Sequence, residues 1–159
     1  MKNIFKKKEI VAISDYFDES LILFLDAQGR DEALSLLVDA LEKAGKLKDR
    51  DDFQRAIMER EKLVSTGVGL GVAIPHAKLH GYKDFFIAIG IQHKNGLEWN
   101  SLDGAPVRVI FMIGGPENKQ TEYLKILSHL TMAIKNEERR KKLLKATTSR
   151  DIIDLFSGC

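Results

Sequence analysis

Between Asp31 and Gly45 the apolar positions fall on one helical stripe. Leu34, Leu37, Val38 and Leu41 stand at i, i+3, i+4 and i+7, the buried face of a single helix that Gly45 is placed to end. Upstream, Leu21 to Leu25 is an unbroken apolar run closed by Asp26-Ala-Gln-Gly29, and it predicts a short buried strand. A second helix is expected from about Asp49 to Lys62, with Phe53, Ala56 and Ile57 facing inward. Gly67, Gly69 and Gly71 then crowd into a segment too glycine-rich for a helix interior. Two further runs, Phe85 to Ile91 and Val107 to Ile113, are rich in Ile, Val and Phe. Turn residues bound them: Asn95-Gly96, Asp103-Gly104-Ala-Pro106 and Gly114-Gly115-Pro116. Apolar on both alternating faces, they predict central strands covered by helices on each side.

From Gln120 the pattern returns to helical, with Tyr123, Ile126, Leu127, Leu130 and Ile134 on one stripe. Two shorter helices are expected after it, the last capped by Ser149 with Ile152, Ile153, Leu155 and Phe156 packing inward. There is no internal repeat, low-complexity segment or interdomain linker. Strand, two helices, several strands, then helices predicts one three-layer α/β/α domain with a mixed central sheet. It spans residues 1–159, with 1–9 expected as a loosely ordered N-terminal segment.

Composition narrows the function classes. With 159 residues, 44% of them apolar and 30% charged, the chain can bury a core without disulfide or metal staples. A net charge of +2 is too small to argue for nucleic acid. Lysines gather at Lys2, Lys6, Lys7 and Lys8, and a second basic cluster runs from Arg139 to Lys142 beside Glu137 and Glu138; both read as solvated surface. The single cysteine, Cys159, forms no internal disulfide, which suits a reducing compartment. No apolar run reaches the ~18 residues of a membrane span, and no apolar signal region follows the N-terminal lysines. The expectation is a cytoplasmic protein without membrane insertion.

The chemistry-bearing segment is Ser65-Thr-Gly-Val-Gly-Leu-Gly-Val-Ala-Ile-Pro-His-Ala-Lys78. Alternate glycines let backbone N–H groups approach a ligand, and Pro75 stiffens the chain before His76. This reads as a stiff loop carrying an imidazole at a sheet edge. Neither the P-loop string nor Gly-x-Gly-x-x-Gly occurs here. His76 and His80 are four apart, but no Glu follows His76 and no third ligand stands nearby, so no metal is expected. The competing reading is a hydrogen-bonded structural histidine where strands cross closely. Arg60 lies three residues past Ile57 and seven past Phe53, on the inward face of the second helix. An arginine there needs an anion or many acceptors, because a buried unpaired charge is expensive. The alternative is an Arg near a helix C-terminus, snorkelling and balancing the dipole.

Arg60-Glu61, Ser65-Thr66-Gly67 and Gly71-Val-Ala-Ile-Pro-His-Ala77 together resemble the signature of EIIA domains of the bacterial phosphotransferase system, of the fructose/mannitol/nitrogen-regulatory type. The resemblance runs from about Ile13 to Phe156. It includes Lys43-Ala-Gly45, Leu102-Asp-Gly-Ala-Pro-Val107 and Tyr123-Leu-Lys-Ile-Leu127. It implies that His76 carries a phosphoryl group and that Arg60 supports it, at the family separation of 76 − 60 = 16 residues. A second histidine often supports the site from the start of the following long helix, and Tyr123 holds its place here. His129 is turned off the core stripe, and His80 and His93 read as surface histidines.

The resemblance further implies a donor, the phosphohistidine of an HPr-like phosphocarrier protein, and an acceptor, an EIIB domain or a regulatory target protein. No metal, nucleotide or other cofactor is then required. Arg60 and backbone N–H groups near Gly71 to His76 are the expected phosphoryl donors of hydrogen bonds, with the Thr66 hydroxyl as a further candidate. The rival expectation is a regulatory protein-binding module whose contacts depend on its phosphorylation state. A third reading, motivated by Tyr123, is a degenerate domain without phosphoryl transfer.

Overall fold

A computed structural model describes residues 12–159. The lysine run and the expected loose segment 1–9 therefore lie outside the described residues. Two single 3₁₀ turns, Ile13–Tyr16 and Glu19–Leu21, lead into β1 (Ile22–Leu25). Helices α1 (Arg30–Lys43) and α2 (Arg50–Leu63) follow. Then come β2 (Gly67–Gly69), β3 (Val72–Ala73), β4 (His76–Leu79), β5 (Phe86–Gln92) and β6 (Val109–Pro116). Helices α3 (Gln120–Ile134), α4 (Glu137–Lys145) and α5 (Ser149–Asp154) close the chain.

The sheet is mixed. β5 and β6 pair antiparallel at its centre, β1 joins β5 in parallel, and β3 and β4 both run parallel to β6 along its other side. Helices α1 and α2 cover one face, where Leu34, Leu37, Phe53 and Ile57 pack on Ala88, Ile110 and Met112. Helices α3, α4 and α5 cover the other, where Ile126, Leu130, Leu143 and Phe156 pack on Ile87, Ile89 and Phe111. This is the three-layer α/β/α arrangement, and β5 and β6 are buried along their whole length.

Several local expectations are corrected. Gly114-Gly115-Pro116 is not a turn but the end of β6, fully buried. A Cβ on Gly114 would stand 2.5 Å from the Phe86 ring and 2.7 Å from Phe53, and one on Gly115 would stand 2.3 Å from Phe85. The glycines are there so that three phenylalanines can press on the strand. β1 is an edge strand rather than a buried one, and its Phe24 is exposed. The cap of α5 is Thr148, whose hydroxyl accepts from Asp151 N–H at 3.1 Å, one residue before the expected Ser149. The Arg139–Lys142 cluster is only partly solvated. Arg139 donates to the carbonyls of Leu155 and Ala133, and Arg140 to that of Ile134, tying together the ends of α3 and α5.

What positions the site is the break between β3 and β4. Both strands lie end to end against β6, and Ile74-Pro75 bridges them. Proline has no N–H to give the ladder, yet its carbonyl still accepts from Ile113 N–H at 2.9 Å. His76 is thus the first residue of an edge strand rather than part of a free loop. The glycine-rich segment before it is a hairpin, β2 antiparallel to β3, turned at Leu70 and Gly71 with φ of 60° and 75°.

Candidate functional site

His76 is half-buried at the start of β4. Its Nδ1–H donates to the Ile74 carbonyl at 3.0 Å. That bond fixes the tautomer and leaves the Nε2 lone pair free. Burial pulls the imidazole below its ordinary value of 6.5, against the hydrogen bond to Ile74; Arg60 and Lys78 push the same way as burial, and Glu61 opposes them. The ring is therefore held neutral near pH 7, the form that can attack phosphorus.

Arg60 sits in the last turn of α2, half-buried, and donates to the Val64 carbonyl at 2.7 Å. One bond to an exposed carbonyl leaves most of the guanidinium fork unengaged. Its charge is felt by His76 and also by Tyr123, whose phenol is pushed up by burial and drawn back by Arg60. Tyr123 is buried in the first turn of α3, with its ring centre 5.6 Å from that of His76 and 6.1 Å from that of Phe85. The structure thus brings His76, Arg60 and Tyr123 together.

Thr66 has a different employment from the one expected. Its hydroxyl is buried, donates to Glu61 Oε1 at 2.6 Å and accepts from the Trp99 indole N–H at 3.2 Å. Its single proton is spent inside the protein. Thr66 N–H donates to the other Glu61 oxygen at 2.7 Å, and Thr66 C=O accepts from Ile74 N–H at 3.0 Å. Hydrogen bonds therefore link Glu61 to Thr66, Thr66 to the Ile74 N–H, and the Ile74 carbonyl to His76 Nδ1.

Two residues of the quoted motifs are given no role by the sequence reading. Glu61 is 3% exposed. Its signal was present, because Phe53, Ile57 and Glu61 are spaced i, i+4 and i+8, closer to the centre of the buried stripe than Arg60. Lys78 is the other. Its Nζ lies 4.1 Å from the centre of the Tyr123 ring and donates to Gln120 Oε1 at 2.6 Å. Only the strand alternation of β4 could have placed it beside His76.

The remaining histidines stand apart. His80 is exposed beside Glu117, and His129 bonds the Lys125 carbonyl of its own helix. His93 is not a free surface residue: it bonds the Ala146 carbonyl at 3.0 Å and lies 5.3 Å from the Phe24 ring. Among the described residues no helix is long and apolar enough to cross a membrane.

Residues 15–159 match the family described as the phosphoenolpyruvate-dependent sugar phosphotransferase system, EIIA 2. The fructose-specific EIIABC component of Bacillus subtilis is 39% identical over 135 residues, 85% of this chain, and the chain spans only 21% of that relative's length. The fructose-specific EIIA component of Haloferax volcanii is 33% identical over 80% of this chain and 82% of its own. Among solved structures, nitrogen regulatory protein IIA-Ntr from Neisseria meningitidis superposes with a TM-score of 0.84 at 28% identity, covering 91% of this chain and 98% of that one. The fold, the His76 motif and these relatives agree: the chain belongs to the EIIA 2 family of the phosphotransferase system and is a component of that system.

Proposed function

We propose that the protein is a cytoplasmic phosphocarrier that accepts a phosphoryl group on His76 Nε2 and passes it to another protein. The observation that carries this reading is the Nδ1 bond to the Ile74 carbonyl, which leaves Nε2 unprotonated on a half-exposed ring. The Nε2 lone pair attacks phosphorus in line with the donor nitrogen. Charge spreads over three equatorial oxygens in a loose transition state. Arg60, with most of its donors uncommitted, meets that charge.

The donor is a phosphohistidine carrier of the HPr type and the acceptor an EIIB domain or a regulatory target protein. A protein partner suits the end of α2, where Leu63, Val64 and Leu102 stand exposed on one open depression lined also by Glu61, and where Arg60 bonds the Val64 carbonyl. A regulatory role without onward transfer is the second reading, favoured by the likeness to nitrogen regulatory protein IIA-Ntr. In that case the added charge on His76 switches a contact surface.

Incubation with phosphorylated HPr followed by intact-mass analysis tests the reading. The parent should gain one phosphoryl group, labile in acid and stable in base, and His76→Ala should gain none. Uptake by His76→Ala at the parent level would contradict it.

A further inference from the structure

Tyr123 brings a buried ring to the site but no charge. The neighbouring strand supplies one. Alternate side chains of a strand share a face, so His76 and Lys78 project from β4 to one side, while Ala77 between them packs into the opposite core with Phe53 and Phe86. The Lys78 ammonium lies 4.1 Å from the Tyr123 ring centre, and that ring lies 5.6 Å from the His76 ring. Gln120 Oε1, one turn before Tyr123, accepts from the same ammonium at 2.6 Å. The aromatic face and the amide hold the cation at the edge of the phosphoryl site.

We propose that Lys78 is a catalytic residue whose ammonium donates to an oxygen of the phosphoryl group on His76, completing with Arg60 a two-cation clamp in which Tyr123 serves as the platform. This inference rests on the reading of His76 as the phosphoryl acceptor. An ammonium has three N–H donors; Gln120 occupies one and the Tyr123 face another, so one remains for a phosphoryl oxygen. A phosphoryl dianion is only half neutralised by Arg60, and a neutral phenol adds a hydrogen bond without charge. Lys78 supplies the second positive charge. Its field already reaches the imidazole, lowering the affinity of His76 for a proton.

The chemistry balances without a proton transfer to or from Lys78. The Nε2 lone pair forms the new N–P bond, the donor's N–P bond breaks, and its electron pair stays on the donor nitrogen. Lys78 contributes hydrogen bonds and charge alone. A lysine that only covered the Tyr123 ring would affect stability and leave the transfer rate unchanged.

Rapid-quench transfer from phosphorylated HPr to the full chain, run over a range of HPr concentrations, separates these roles. Lys78→Met keeps the stem and removes the charge. It should lower the saturating rate about 10- to 100-fold, below the loss expected for a fully enclosed donor because the site is half-exposed. The half-saturating concentration should move by less than about threefold, since the interaction acts in the transition state. Lys78→Gln, a second neutral variant, should behave alike, and Lys78→Arg should recover most of the rate. Folded Lys78→Met and Lys78→Gln with the parent's saturating rate, or a loss confined to half-saturation, would overturn the proposal. The parent's phosphoryl stoichiometry, read in the same experiment, distinguishes this from failure of the His76 reading: a parent that accepts no phosphoryl group overturns both.

Discussion

The two walls of the His76 site are built on opposite plans. The wall formed by the end of α2 and the β2–β3 hairpin is a closed polar network: Glu61 binds Thr66 twice, Trp99 binds Thr66, and Ser65 donates to the Trp99 carbonyl at 2.6 Å. The wall formed by β4 and α3 is aromatic and loosely tied, with Tyr123 between His76, Phe85 and the Lys78 ammonium. The Tyr123 hydroxyl has no hydrogen-bond partner among the described residues. The first wall fixes where the imidazole points. The second leaves polar donors uncommitted, which is what an incoming anion requires. A buried network must be fully satisfied to be stable, whereas a transfer site must keep donors in reserve.

Substitutions break this contrast in different ways. Among the residues that surround His76, the largest effect on transfer is expected at Arg60, whose Ala variant should be slower by about 10- to 1000-fold in rapid-quench kinetics, the loss of one charged donor. Stability should barely change, because its one bond is to an exposed carbonyl at a helix end. Arg60→Lys should not restore the rate, since a point charge cannot reproduce the planar fork. In the closed wall, Glu61→Ala should cost about 2–6 kcal/mol in urea unfolding, because two buried donors of Thr66 lose their acceptor at ~1–3 kcal/mol each. Equal stability of that variant would mean the network carries no weight.

Smaller effects belong to the aromatic wall. Tyr123→Phe should slow transfer by about tenfold or less and leave stability nearly unchanged, as at most one neutral hydrogen bond is lost. Tyr123→His should stay folded and transfer at least as fast as the parent, because the new imidazole can donate to a phosphoryl oxygen directly and so offsets the weaker platform under Lys78. A wholly inactive Tyr123→Phe would assign the phenol a role beyond that of a platform.

The pH response should be the mildest. Burial lowers the His76 value from 6.5, so the folded protein binds this proton less readily than the unfolded chain. Its contribution to stability is then full above the unfolded value and is lost as pH falls through the folded one. The rate should follow the same neutral form. The acid limb of the transfer profile should have its midpoint below 6.5, and a midpoint at or above that value would remove the argument for desolvation.

Elements with one apolar stripe were legible in the sequence. Leu34, Leu37, Val38 and Leu41 are all buried on α1, and Asp49 caps α2 by accepting from Asp52 N–H at 3.0 Å. What escaped depends on partners distant in the chain. β4 has four residues of mixed polarity and is a strand because β6 offers its edge. Gly114 and Gly115 look like a turn until Phe53, Phe85 and Phe86 close on them. At the site, the alternate glycines and Pro75 singled out His76, helical spacing placed Arg60 on the apolar face, and the family resemblance joined them and added Tyr123. Lys78 was invisible because its meaning comes from a ring on α3, 45 residues on by number (123 − 78 = 45).

The most direct test of the account is the position of the phosphoryl group on the imidazole. Nitrogen-15 and phosphorus-31 NMR of the protein after reaction with phosphorylated HPr report which ring nitrogen carries phosphorus. The Ile74 hydrogen bond requires Nδ1 to keep its proton, so the account predicts a single phosphoryl group on Nε2 of His76. Phosphorus on Nδ1 of His76, or on His80, His93 or His129, would contradict it.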